Sequence, residues 1–152
     1  MLTGSRRRHA IEKHAADWRF GRSVLVLLLS EVLVGCGSQV PFEYVPVTGK
    51  VTYEDGSPIT AGQLQFESLT PPQGNLRPRP ASAAINSDGS FNSVTSYKPG
   101  DGLIPGKHKV AFIFADDAQG NPLVPNEYMS MATTSLVIDT ADAPLVIKVP
   151  KP

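Results

Sequence analysis

The sequence predicts an all-β protein, with seven short strands in an antiparallel β-sandwich over residues 47–152. Three observations carry that expectation. All 14 prolines and ten of the 13 glycines fall after residue 35, where they cut the chain into short pieces. The pieces between these breakers are rich in Val, Ile, Thr, Phe and Tyr, which suit a pleated, half-buried surface. Within them, apolar residues recur at every second position, the period of a strand with one buried face. Proline and glycine together make up about a fifth of this region, below the level that signals disorder. No βαβ alternation interrupts the pattern, so two packed antiparallel sheets are the architecture that buries such faces.

In chain order, Val47, Gly49, Val51 and Tyr53 alternate with Thr48, Lys50 and Thr52, which gives the first strand. Glu54-Asp55-Gly56-Ser57-Pro58 is a turn, because glycine takes the positive φ that a tight reversal needs. The second strand runs over 63–69, with Leu64 and Phe66 inward and Gln63, Gln65 and Glu67 outward. Residues 70–80 hold four prolines and Gly74, and since proline cannot donate to a ladder they form a surface loop. Strands over 81–86 and 91–96 flank Ser87-Asp88-Gly89-Ser90, a second hairpin signal. Residues 98–102 turn again. The run 107–115 is the most strand-like, with Val110, Phe112 and Phe114 on one face. Ala111 and Ile113 make its other face apolar, which places it centrally or under partial cover on both sides. Residues 116–128 form a long connection broken by Gly120, Pro122 and Pro125. One helical turn fits near 128–133, while β-branched Thr133, Thr134, Val137, Ile138 and Thr140 argue against a longer helix. Strands over 135–139 and 145–149 complete the set.

Residues 1–35 differ in character. Arg6, Arg7, Arg8, Lys13, Arg19 and Arg22 precede an aliphatic run over 24–29, resumed by Val32-Leu33-Val34 after Ser30 and Glu31. That order is the order of a secretory signal peptide. A spanning helix needs about 20 apolar residues, and Arg22 and Glu31 bracket a shorter stretch, so no permanent membrane helix is expected. Cys36, the single cysteine of the chain, ends the segment in Leu33-Val34-Gly35-Cys36. This resembles the bacterial lipobox, where the thiol accepts a diacylglycerol and cleavage frees the cysteine as the new N-terminus. The resemblance implies a removed signal peptide over 1–35, a lipidated Cys36 with a tether over 36–46, and a domain over 47–152. One acyl chain binds a bilayer reversibly, whereas two or more hold it stably, and a lipidated Cys36 carries at least two. Gly37 stands where an aspartate would resemble an inner-membrane retention signal in a Gram-negative envelope, which favours outer-membrane sorting. The opposing reading is a cytosolic chain whose apolar N-terminal helix buries a small free cysteine.

The leader holds six of the 14 Lys+Arg and three of the 14 Asp+Glu, which leaves 8 basic and 11 acidic side chains in the exported part. A net charge of about −3 carries no basic stripe, so nucleic acid is excluded as a partner. With its thiol acylated the domain has no disulfide, and packing alone holds it together.

Four motifs in order carry a further resemblance. They are Val47-Thr48-Gly49-Lys50-Val51, Asp55-Gly56-Ser57-Pro58, Asp88-Gly89-Ser90-Phe91, and the run from Gly102-Leu103-Ile104-Pro105-Gly106 through Lys107-His108-Lys109-Val110. Together they resemble the carboxypeptidase regulatory-like, or transthyretin-like (prealbumin-like), β-sandwich over about residues 47–115. Val124-Pro125-Asn126-Glu127-Tyr128 and Thr134-Ser135-Leu136 are similar to the C-terminal part of short envelope lipoproteins with this domain. The resemblance implies a non-enzymatic, membrane-anchored module for structure or protein contact. Its departure is His108, where the family has an aromatic residue such as tyrosine. One branch of the sandwich hydrolyses 5-hydroxyisourate with a histidine cluster, an arginine and a C-terminal Tyr-Arg-Gly-Ser. Here residues 36–152 hold one histidine and finish Ile147-Lys148-Val149-Pro150-Lys151-Pro152, so that machinery is not expected.

Other chemistry is thin. A catalytic zinc needs three protein ligands, and no His-Glu-x-x-His spacing or Gly-x-Ser-x-Gly elbow occurs. No enzyme activity, cofactor or metal is expected. His108 shares the parity of Val110 and Phe112 at the start of its strand, which reads as a rim position. Asp116, Asp117 and Asn121 offer oxygens of the kind calcium takes, at a spacing that fits a solvated turn better. Tyr44, Tyr53, Tyr97 and Tyr128 would stack on sugars if they shared a face, though tyrosines in small sandwiches more often cap the core. A glycan- or calcium-binding surface module is therefore the alternative function, with an envelope protein or glycan as partner beside the membrane itself.

Overall fold

A computed structural model of the chain describes residues 42–152. Cys36, the signal segment and the first part of the tether lie outside the described residues. The strands are β1 (Gly49–Tyr53), β2 (Gln63–Ser68), β3 (Ala81–Ala84), β4 (Ser90–Phe91), β5 (Lys107–Ile113), β6 (Val137–Asp139) and β7 (Leu145–Val149). They form a three-stranded sheet in the order β4-β1-β7 and a four-stranded sheet in the order β3-β2-β5-β6. Helical structure among the described residues is confined to two short 3-10 segments, Asn126–Met129 and Thr140–Asp142. The protein is all-β, as the spacing of its breakers predicts.

The alternation in β2 and β5 places the core. Leu64 and Phe66 on β2 stand opposite Phe112 and Val110 on β5, and all four are fully buried. Val51 of β1, Phe91 of β4, and Leu145, Ile147 and Val149 of β7 join them in one apolar cluster. The Phe66 and Phe91 rings, one from each sheet, meet with centroids 6.1 Å apart at 50°, a tilted aromatic contact of the favoured kind. Truncating a buried phenylalanine costs about 3–5 kcal/mol. These rings therefore account for a large share of the stability that joins the two sheets.

Four local expectations fail, each for a physical reason. β1 and β7 pair in parallel, with Gly49 opposite Leu145 and Tyr53 opposite Val149, where an antiparallel partner is expected. Apolar alternation selects which face a strand buries, but it is silent on the direction of its neighbour. The strand expected over 91–96 contracts to Ser90–Phe91, and beyond it the chain regains the other sheet at an isolated bridge between Thr95 and Ser82. β5 stops at Ile113, and Phe114 takes φ +54 with 78% of its surface exposed. The chain turns there so that Ala115 drops into a buried slot beside Gly62, where a Cβ on residue 62 would lie 2.9 Å from the Ala115 Cα. Finally, the stretch expected to be free tether is packed from residue 42 onward. Phe42 is buried, and Val45 exchanges two backbone hydrogen bonds with Leu103, at 2.8 and 3.0 Å.

Candidate functional site

His108 is 2% exposed, not at the rim as its sequence position suggests. It lies between Ser68 on β2 and Ile138 on β6, so β6 covers the position that would otherwise open to solvent. Its Nε2 lies 2.7 Å from the Ile104 carbonyl oxygen; that oxygen only accepts, so the nitrogen carries the proton. Nδ1 is buried without a partner among the described residues. Burial pushes the pKa below the usual histidine value, against the opposing pull of the Ile104 carbonyl and the Asp139 charge. A general base must come within hydrogen-bond reach of its substrate. A ring this enclosed instead ties the turn ahead of β5 to the strand itself.

The structure brings Asp116, Asp117 and Asn121 together in one loop, closed by a bridge between Asp116 and Pro122. Asp117 Oδ1 accepts the Gln119 and Asn121 backbone N–H groups, both at 2.8 Å, and Oδ2 accepts the Asn121 side-chain amide at 2.9 Å. Those bonds, the side-chain amide first, hold the carboxyl below its usual range. Among the described residues no three His, Cys, Asp or Glu side chains converge as metal ligands.

The four tyrosines fall into two groups and not onto one face. The Arg79 guanidinium sits 4.9 Å over the Tyr97 ring, and Tyr44 lies nearby. Burial raises the Tyr44 pKa, with Asp101 raising it further and Arg79 opposing. The Tyr53 hydroxyl donates to the Leu123 carbonyl at 2.7 Å, and Lys151 Nζ lies 5.4 Å from its ring. Tyr128 stands in the 3-10 segment that packs against β5, where the Glu127 side chain raises its pKa.

A groove of about 420 Å³ opens on the outer face of the three-stranded sheet. Thr48, Lys50, Thr52 and Ser90 line it together with Phe91 and Val146. Val146 is 64% exposed, and the Thr52 hydroxyl is buried without a partner among the described residues. The sequence marks this groove only faintly. Its one visible signal is Val146, an apolar residue at an outward position between buried Leu145 and Ile147. No protein-family model matches the chain, and comparison with curated proteins and with solved structures finds no match.

Proposed function

We propose that this chain is a lipid-anchored protein of a bacterial envelope, held by acyl chains on Cys36, whose β-domain serves structure or protein contact and not catalysis. One observation carries the reading: basic residues, an aliphatic run, Gly35 and Cys36 follow one another in the order that lipoprotein processing requires. The two sheets would be the halves of a seven-stranded transthyretin-like sandwich, facing the periplasm or the cell surface from the outer membrane. The polar groups of the domain agree with a scaffold role. Asp55, Asp88, Asp101 and Asp117 each accept N–H groups of their own turns, so they shape loops. Replacing Cys36 with alanine should abolish fatty-acid labelling and move the protein from the detergent phase to the aqueous or unprocessed fraction. Unchanged partitioning of that variant ends the reading.

The groove over β1 and β7 favours a second reading, a glycan-binding surface module. Hydroxyls of Thr48, Thr52 and Ser90 and the Lys50 ammonium would bind a sugar against exposed Val146. A melting-temperature rise on a glycan panel, absent in Lys50→Ala, selects this reading. Calcium in the same panel tests the Asp117 loop. A co-purifying envelope protein, released by detergent, selects the first.

A further inference from the structure

The loop between β2 and β3 combines exposed leucines with arginines at the end of the domain where the chain arrives. Leu69 and Leu76 are 50% and 49% exposed, and Arg77 and Arg79 follow at once. No aspartate or glutamate occurs from residue 68 to residue 87. The loop is ordered by its own bonds. Gln73 and Leu76 exchange two backbone hydrogen bonds at 2.9 and 3.0 Å, and the Leu69 N–H donates to the Lys107 carbonyl at 2.9 Å. Leu76 is therefore presented on a closed turn.

The position of this loop is set by contacts at both of its ends. Leu69 leaves β2 beside Lys107, the first residue of β5. Arg79 lies over Tyr97, whose N–H donates to Asp101 at 2.9 Å, and two residues on Leu103 pairs with Val45. Arginines, exposed leucines and the incoming chain thus share one end. The opposite end carries Phe114, a strand's length away along β5.

From these contacts we infer that the 69–79 loop is a bilayer-contact surface, which lays its leucines against anionic lipid and its arginines among the headgroups. The inference rests on the proposed anchoring through Cys36. Tyr44 lies eight positions after Cys36, and eight residue steps span at most about 26–29 Å even when fully extended. The anchored domain is consequently held within that distance of the membrane surface, and a surface contact of modest intrinsic strength is amplified by that confinement. Leucine on an amphipathic surface buries at the acyl boundary, and arginine is attracted by anionic lipid. Several acids stand at the same end, among them Asp139, which lies opposite Lys107. Asp101 has its carboxylate engaged by the Ser96, Tyr97 and Lys98 backbone N–H groups, and Glu43 lies on the incoming chain.

The single tryptophan of the chain, Trp18, lies in the leader, so a tryptophan introduced into the mature protein reports alone. The lipidated full-length product of Leu76→Trp is reconstituted in vesicles of equal parts phosphatidylglycerol and phosphatidylcholine with brominated acyl chains. A blue shift and loss of emission are expected, with neither change for Phe114→Trp at the opposite end. Arg77→Glu in the Leu76→Trp background should restore emission. Vesicle-bound protein in which residue 76 stays unquenched, or is quenched equally in pure phosphatidylcholine, overturns the loop contact while the anchor stands. Protein that fails to float with the vesicles overturns the anchor and the contact together.

Discussion

The tripeptide Asp-Gly-Ser occurs twice, at 55–57 and 88–90, and the two copies build the same turn in different surroundings. In both, the aspartate Oδ1 accepts the serine N–H at 2.9 Å and the serine hydroxyl as well. The glycines take φ +85 and +77, and each glycine N–H donates to a carbonyl three residues earlier at 2.9 Å. Around Gly56 nothing lies within 4 Å of where a Cβ would stand. Around Gly89 that Cβ would meet the Val51 carbonyl at 2.7 Å and Pro58 at 2.9 Å, because the Gly89 carbonyl accepts from Val51 N–H on β1. The residue after the first copy is exposed Pro58, and after the second it is buried Phe91. Local sequence thus specifies the shape of a turn, whereas what the turn is pressed against decides how much stability depends on it.

The largest expected break in this comparison comes at the residue that follows each turn. Phe91→Ala should cost about 3–5 kcal/mol, a large part of the roughly 5–15 kcal/mol that holds a domain folded. Pro58→Ala should cost about 1 kcal/mol or less, chiefly through the unfolded chain. Urea titration of both variants checks this, and equal midpoints would mean the second turn is no more deeply built in than the first.

Next come the glycines. An alanine at either position meets a left-handed backbone penalty of about 1–2 kcal/mol. Gly89→Ala should lose about 1–3 kcal/mol more by pressing its methyl group into β1 and Pro58. Thermal melts of Gly56→Ala and Gly89→Ala, side by side, isolate the contribution of the surroundings.

The smallest effect distinguishes the aspartates. Both carboxyls are held below the usual value of 3.8, Asp55 chiefly by Lys151 and Asp88 chiefly by the Ser90 hydroxyl. A carboxyl lowered by folding contributes stability that is present above 3.8 and is lost as pH falls through the lowered folded value. Asp55 and Lys151 are more than half exposed at 2.7 Å separation, where salt screens an ion pair. In an NMR titration, added salt or Lys151→Ala should therefore raise the Asp55 midpoint and leave Asp88 nearly still. Parallel movement of the two would refute the assignment of different causes.

Much of this fold is legible in the chain. Asp-Gly-Ser turns, the proline loop and the period-two runs of β1, β2 and β5 are local signals, and the structure uses them where they lie. Illegible were the features that depend on distant residues. Phe114 carries the strand parity of Phe112, yet Ala115 fits under Gly62 and the chain turns to place it there. His108 reads as a rim residue until β6 covers it from thirty positions downstream. The aspartate, asparagine and tyrosine candidates are legible only as polar and aromatic positions. Only coordinates separate the tyrosines into two groups and show that the Asp117 oxygens are occupied by its own loop. The outer groove left almost no trace, because grooves form between strands whose pairing periodicity does not encode.

The parallel pairing of β1 with β7 has a consequence for how the molecule comes into being. β1 is the first of the described strands and the central strand of its sheet, yet one of its two partners, β7, is the last of them. A chain delivered N-terminus first, from a ribosome, exposes Val51 long before Ile147 exists to sit beside it. Contacts so far apart along a chain form slowly, since a long loop must close before they contribute. The four-stranded sheet has its own local partners in β2, β3 and β5 and is able to assemble early. Closure of the three-stranded sheet then acts as a completion check, passed only by chains that have been synthesised through Val149.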